Sequence, residues 1–174
     1  MAAPKPLFPA SLISTEVASS LPDGYTVRPL NKGDHAKGFL ECLQDLTWVG
    51  KFSVDDFNER YDEMDTDGKG PYYIVVIEHE GRIVGAGTAF VEKKFIHNRA
   101  LVGHLEEICI SKDYQGKGLG LKMLNALDSI AQNLGCRMNS LNCDDEMQPF
   151  YVKCGYSPSG REMHHLFVDE EEEE

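Results

Sequence analysis

A glycine-rich stretch, Gln115 to Gly120, contains the residue types that point most directly to chemistry. It follows an apolar run that ends at Ile110 and precedes leucines at helical spacing that begin at Leu121. Such a loop exposes backbone N–H groups at the positive end of a helix dipole, where phosphate groups bind. Its glycine spacing fits neither a Walker A loop nor a dinucleotide fingerprint. We therefore expect a diphosphate site of another type, with a merely flexible turn as the alternative.

Two acidic residues and a tyrosine could take part in acid–base chemistry. Glu106 and Glu107 lie in a predicted strand, 101–110, immediately before the glycine-rich loop. Neighbouring strand residues point to opposite faces of a sheet, so at most one of the two carboxylates should face a ligand. The alternative is that both are edge-strand charges that oppose aggregation. Tyr151 lies in a predicted short helix, where it could either pack as an aromatic or donate a proton to a leaving group.

The histidines and cysteines form no recognisable metal or nucleophile motif. His164 and His165 are adjacent in a predicted strand and point in opposite directions, so we expect no metal site. We expect His104 to be structural. The five cysteines are an odd number without a C-x-x-C pair, which predicts free thiols in a reducing compartment. Cys109 and Cys143 have no neighbouring base, so we expect small buried residues rather than nucleophiles.

The elements that must position these residues follow the order βααβββαβαβ. This order predicts one α/β (α+β) domain around a mixed sheet. Helices are predicted at 34–46, from 53, at 121–134 and at 146–154, and strands at 25–30, 72–77, 82–95, 101–110, 137–143 and 163–168.

The two ends of the chain differ in composition from the middle. Residues 1–22 contain four prolines and no regular period, which predicts a flexible arm that could still pack Leu7 and Phe8. The domain should span 23–168, and the all-acidic 169–174 should be a disordered tail.

The net charge of −12, or −6 without that tail, disfavours nucleic acid and anionic membranes as partners. No apolar run reaches the roughly 20 residues that span a bilayer, and the first residues do not resemble a secretory signal. These features predict a cytoplasmic protein that does not insert into membranes.

Several segments together resemble the GNAT (general N-acetyltransferase) superfamily. Gln115-x-x-Gly118-x-Gly120 resembles its pyrophosphate loop, Leu141-Asn142-Cys143 its splayed strand, and Phe150-Tyr151-x-Lys153-Cys154-Gly155-Tyr156 its closing helix. The resemblance implies the GNAT fold: a single domain with a central mixed, mostly antiparallel, splayed sheet flanked by helices. It also implies acetyl-CoA as co-substrate and no metal.

A narrower resemblance covers most of the chain and suggests a substrate. Glu92-Lys93-Lys94-Phe95-Ile96-His97 and Gly103-His104-Leu105-Glu106-Glu107-Ile108, with Leu46-Thr47-x-Val49-Gly50, resemble the eukaryotic glucosamine 6-phosphate N-acetyltransferases, closest to the fungal type. This implies acetyl transfer to D-glucosamine 6-phosphate, on the route to UDP-N-acetylglucosamine, by direct transfer in a ternary complex. It also implies a homodimer with exchanged C-terminal strands, in which the partner chain completes each sugar site.

The same resemblance implies roles for individual residues. Tyr151 would stabilise the departing thiolate, Glu106 would position the amine, and the proton would leave near Asn142. The implied substrate contacts are Thr47, Lys94, Phe95, Ile96, His97, Glu106, Glu107, Arg137 and His165. The implied acetyl-CoA contacts are Ile108, Cys109, Ile110, Gln115, Gly116, Lys117, Gly118, Leu119, Gly120 and Tyr151.

Three positions depart from the family pattern. Asn142 stands where the family usually has an acid, so no side-chain carboxylate at this position can act as the base. This favours loss of the amine proton through water or a backbone carbonyl. Arg137-Met138 replaces an aromatic-Lys pair. The segment 163–167 lacks the usual basic residue for the partner's sugar phosphate, and His164 or His165 is the candidate replacement.

Two other functions fit parts of the sequence. The acidic charge would suit an acetyltransferase acting on a peptide or polyamine amine, although the Lys94/His97 cluster disfavours a cationic substrate. The chain could also be a CoA-binding regulator without catalysis, which the intact Tyr151 and Glu106 disfavour.

Overall fold

The computed structural model describes residues 4–167, and these form one five-stranded sheet with helices around it. The strands lie in sequence order, and all neighbours are antiparallel except the last pair, β4 and β5. This confirms the mixed, mostly antiparallel sheet. The strands are β1 (Tyr25–Pro29), β2 (Tyr72–His79), β3 (Arg82–Lys93), β4 (Leu101–Ile110) and β5 (Cys136–Leu141).

Five α-helices in the described residues surround the sheet: α1 (Thr15–Ser19), α2 (Phe39–Gln44), α3 (Val54–Met64), α4 (Leu119–Asn133) and α5 (Gln148–Lys153). A single short helical turn, Ile96–Arg99, joins β3 to β4 and is left-handed at His97 and Asn98. Short 3-10 helices occur at Ala10–Leu12, Lys32–Lys37 and Lys112–Tyr114. Helix α4 is the crossover that lets β5 run parallel to β4.

The core lies where α4 packs on the sheet. Met123, Leu124, Leu127 and Ile130 are fully buried and recur every three or four residues, so they form one face of α4. Strand β2 contributes a continuous buried run from Tyr73 to Ile77, as expected for a strand covered on both faces.

Strand β4 is irregular where the sequence predicted the chemistry. Ala86 pairs with Cys109 and Thr88 with Glu106, so β4 holds one residue more than β3 over this stretch, which is a β-bulge. Glu107 within the bulge has a left-handed backbone, with φ 50°.

Strands β4 and β5 also separate in this region. Their parallel pairing ends at Leu105 and Leu141, whereas β4 continues to Ile110. This opening, which we call the wedge, leaves residues 106–110 without a neighbouring strand on the β5 side in the described part of the chain. It confirms the splayed sheet.

The N-terminal segment packs Leu7 and Phe8, which the sequence analysis singled out as able to pack. Leu7, Phe8 and Ile13 are buried in the core, and the Leu7 amide donates to the Leu30 carbonyl at 2.9 Å. The prolines interrupt regular structure here, but the apolar side chains between them fill space beside the sheet. The segment from residue 4 onwards therefore packs as part of the domain.

The predicted last strand, 163–168, does not form over residues 163–167. A strand requires hydrogen bonds to a neighbouring strand, and these residues pair with none in the described part of the chain. Val168 and the predicted acidic tail, 169–174, lie outside the described residues.

Candidate active site

The wedge presents unpaired backbone groups of β4 to any ligand that enters it. Beyond Leu105, the β5 side of β4 offers N–H and C=O groups that must find partners outside the sheet. Ile108 and Ile110 are half-buried along this edge. Cys109 is buried instead, and its thiol donates to the Cys42 carbonyl at 3.1 Å, so only its backbone is available to a ligand.

The glycine-rich loop lies at the end of β4 and leads into α4. Gly116 and Gly118 have φ of 75° and 78°, the left-handed region that favours glycine, and Gly118 is the N-cap of α4. The Gln115 side-chain amide donates to the Ile110 carbonyl at 3.0 Å, which ties the loop to the strand. Leu119 is also a predicted acetyl-CoA contact. Because its side chain is buried, only its backbone can contact a ligand.

Tyr151 lies in α5, next to the end of β5. Its ring makes edge contacts with Phe150 and Tyr156, at centroid distances of 5.2 and 6.1 Å. Burial, followed by the nearby Cys143 thiol, raises the pKa of Tyr151, so its phenol stays a neutral proton donor near pH 7. Asn142 follows β5 in an exposed, irregular segment.

A cavity of about 300 Å³ lies beside the β4 bulge. Thr47 and Glu107 both line it, which brings two predicted substrate contacts together. Burial and the neighbouring Glu106 charge raise the pKa of Glu107. The bulge breaks the strict alternation assumed from the sequence, and both residues keep part of their surface exposed. Glu106 itself does not line the cavity. The other lining residues are largely apolar, among them Phe39, Leu43, Trp48, Phe52, Phe57 and Ile74.

Arg60 also lines this cavity, and sequence reasoning missed it. It lies on α3 one turn after the buried Phe57, and it pairs with Glu63 on the same helix at 2.9 Å. Nothing in its local sequence distinguishes it from a surface arginine; only the packing of α3 beside the bulge brings it near Glu107.

The remaining predicted substrate residues do not line this cavity within a single chain. Lys94, Phe95, Ile96 and His97 lie in the turn between β3 and β4, and the Phe95 ring is 99% exposed. The Lys94 ammonium donates to Glu92 at 2.9 Å.

His104 contacts the other oxygen of Glu92 at 2.7 Å, a hydrogen bond that agrees with its expected structural role. Arg137 on β5 is exposed, and so is His165, whose ring lies against Phe167 at 4.8 Å.

Residues 4–167 contain no group of three or more His, Cys, Asp or Glu side chains that could hold a metal ion. Within the same residues, no helix is both long and apolar enough to cross a membrane.

The order of strands, the wedge, the loop at the start of α4 and the tyrosine on the closing helix are the features of an acetyltransferase of the GNAT type. The profile described as "Acetyltransferase (GNAT) family" matches residues 39–156, and the chain belongs to this family.

Relatives within the family carry a more specific name. The glucosamine 6-phosphate N-acetyltransferase of Candida albicans is 41% identical over 82% of this chain and 96% of its own length. Glucosamine 6-phosphate N-acetyltransferase 1 of Dictyostelium discoideum is 36% identical over 84% of this chain and 94% of its own. The crystal structure of the Arabidopsis thaliana glucosamine-6-phosphate N-acetyltransferase superposes with a TM-score of 0.80 at 34% identity, over 83% of this chain and 99% of that one.

Proposed function

We propose that this chain transfers the acetyl group of acetyl-CoA to the amine of D-glucosamine 6-phosphate. The products are N-acetyl-D-glucosamine 6-phosphate and CoA, on the route to UDP-N-acetylglucosamine. The observation that carries the proposal is the wedge, whose β4 edge leads into the glycine-rich loop at the start of α4 and whose β5 edge leads into α5 with Tyr151. The named relatives support the choice of acceptor.

Acetyl-CoA fits the wedge by charge and by hydrogen bonding. Its diphosphate accepts N–H bonds from the loop at Gly116 to Gly120, at the positive end of α4. Lys117 and Lys122 add positive charge to an otherwise acidic protein. The pantetheine amides pair with the open edge of β4 at Ile108 and Ile110, as a short extra strand would.

Transfer is direct: the amine forms a C–N bond to the thioester carbon, and the C–S bond breaks. A backbone N–H of the open β4 edge polarises the carbonyl, and the Tyr151 phenol donates to the departing sulfur. Cys109 is unsuited to an acyl-enzyme intermediate, because its hydrogen bonding with Cys42 and its burial raise its pKa.

The acceptor occupies the cavity beside the bulge. Glu106, which is next to Glu107 in β4 but does not line the cavity, positions the amine for attack, while Glu107 and Thr47 bind sugar hydroxyl groups. The amine proton leaves through water or through a backbone carbonyl near Asn142, since an amide side chain cannot act as base there.

We further propose that two copies associate and that the partner completes each sugar site. Lys94 to His97, Arg137 and His165 lie away from the cavity of their own chain, so they could reach a sugar phosphate only in a neighbouring copy. Large apolar side chains remain exposed on the same segments, notably Phe95 and Phe167. Such surface is typical of a contact between subunits. The five free thiols support a reducing, cytoplasmic location.

The test measures thiol release from acetyl-CoA with D-glucosamine 6-phosphate, D-glucosamine and a lysine-containing peptide as acceptors. We expect turnover with the phosphosugar and much less with unphosphorylated glucosamine. Turnover with the peptide instead would favour the alternative function, a GNAT acting on a peptide or polyamine, which the net charge of −12 would suit.

A further inference from the structure

Asp128, in the middle of α4, connects three elements around the wedge. Its Oδ1 accepts a hydrogen bond from the Tyr156 hydroxyl at 2.6 Å and another from the Asn139 side-chain amide at 2.7 Å. Tyr156 follows α5, and Asn139 lies in β5. One carboxylate oxygen therefore joins the crossover helix, the strand that forms one side of the wedge, and the segment that closes α5.

Both partners of Asp128 lie close to the groups that would handle the thioester. The Tyr156 amide donates to the Tyr151 carbonyl at 3.0 Å, and the two rings meet edge to face at 6.1 Å. Asn139 lies two residues before Leu141, the last residue of β5 that pairs with β4. Fixing Tyr156 and Asn139 thus fixes Tyr151 relative to the mouth of the wedge.

Both hydrogen bonds to Asp128 have a clear donor. Burial and the hydrogen bond to Asp128 both raise the pKa of Tyr156, so its hydroxyl remains a donor. The Asn139 Oδ1 is buried and has no donor among the described residues, so the bond from its Nδ2 to Asp128 is the side-chain hydrogen bond that holds Asn139 there.

We propose that Asp128 is a positioning residue, which holds the Tyr151 phenol at the sulfur of the bound thioester through Tyr156 and Asn139. This rests on the role proposed above for Tyr151. A misplacement of about 1 Å in a reacting group can cost roughly 100-fold in rate. Loss of the hydrogen bonds that position Tyr151 should therefore lower the turnover rate.

The test compares Asp128→Ala with Asp128→Asn, which keeps an Oδ1 acceptor for both donors. We expect Asp128→Ala to lower kcat by about 10- to 100-fold with little change in either KM. Asp128→Asn should recover most of that loss. The control is Ser129→Ala on another face of the same helix turn. It removes the hydrogen bond that Ser129 donates to the Ala126 carbonyl and the one that it accepts from the Ser14 amide, and it should leave kcat unchanged.

A double variant separates positioning from general stability. If Asp128 acts through Tyr151, then Asp128→Ala in a Tyr151→Phe background should cost almost no further rate. Independent, multiplicative losses would overturn the proposal. So would equal losses of kcat in Asp128→Ala and Ser129→Ala.

A second measurement keeps the proposal testable whichever acceptor proves correct. Amide hydrogen exchange over residues 148–156 should speed up in Asp128→Ala, return towards the wild-type rate in Asp128→Asn and remain unchanged in Ser129→Ala. Unchanged exchange in Asp128→Ala would overturn the proposal. The kcat measurements use whichever amine the wild-type protein acetylates. A failure of glucosamine 6-phosphate as acceptor would therefore count against the proposed function and not against the role of Asp128.

Discussion

Replacing Tyr151 by phenylalanine removes one oxygen atom and tests the proposed departure of the thiolate. No protein hydrogen bond to this hydroxyl occurs among residues 4–167, and the ring contacts with Phe150 and Tyr156 would remain. A hydrogen bond to a charged group contributes about 1.5–3 kcal/mol, which corresponds to roughly 10- to 150-fold in rate. We therefore expect Tyr151→Phe to lower kcat by about 10- to 150-fold with little change in stability.

The assay combines steady-state thiol release with urea unfolding of the same preparations. Tyr72→Phe is the matched control, because Tyr72 lies on β2 with its ring packed on Phe90 and away from the wedge. It should leave kcat unchanged. A kcat for Tyr151→Phe equal to that of the wild type would refute the role of the phenol. A fall in kcat that only accompanies a large loss of stability would point to packing instead.

Two further predictions concern the glycine-rich loop and the stability of the sheet. The backbone at Gly118 is left-handed, a conformation that costs an L-residue about 1–2 kcal/mol. Because alanine at this position would favour another loop conformation, we expect Gly118→Ala to raise the KM for acetyl-CoA about 5- to 30-fold. Gly81→Ala, with φ 78° and equally open surroundings in the β2–β3 turn, should carry the same strain without changing that KM; an equal rise in both variants would count against the loop. The pKa of Glu78 lies below its ordinary value, because hydrogen bonds from Lys37 and Arg28 outweigh its desolvation. Its stabilising effect should be present at neutral pH and disappear as pH falls through its lowered pKa, so the wild type and Glu78→Gln should converge in acid unfolding; a constant difference would contradict this.

Local signals in the sequence were sufficient for most of the elements and for the chemical class. The predicted bounds of the five strands lie within two residues of the observed ones, and leucine spacing located α4 to within two residues of its start at Leu119. The glycines at 116 and 118 predicted the phosphate-binding loop for a reason that is itself local: their φ angles belong to the left-handed region. Motif resemblance then identified the family, which the profile match confirmed.

Other features depend on contacts between segments that are distant in the sequence. Leu7 and Phe8 occur in a proline-rich stretch with no period, and only their burial beside the sheet shows that the arm belongs to the core. Strict alternation along β4 was wrong at Glu107, because the bulge is set by the register against β3. Residues 163–167 were predicted as part of a strand but pair with no strand in residues 4–167.

The sequence by itself therefore determined which chemistry is available, and the tertiary structure decided where each group lies. Backbone conformation and amphipathic period are properties of a few neighbouring residues, so glycine loops, strands and helices can be read locally. The wedge is the place where β4 and β5 stop pairing after Leu105, and Asp128 meets Tyr156 because the packing of α4 brings the two together. Such distances result from packing across the whole sheet, which no local pattern encodes.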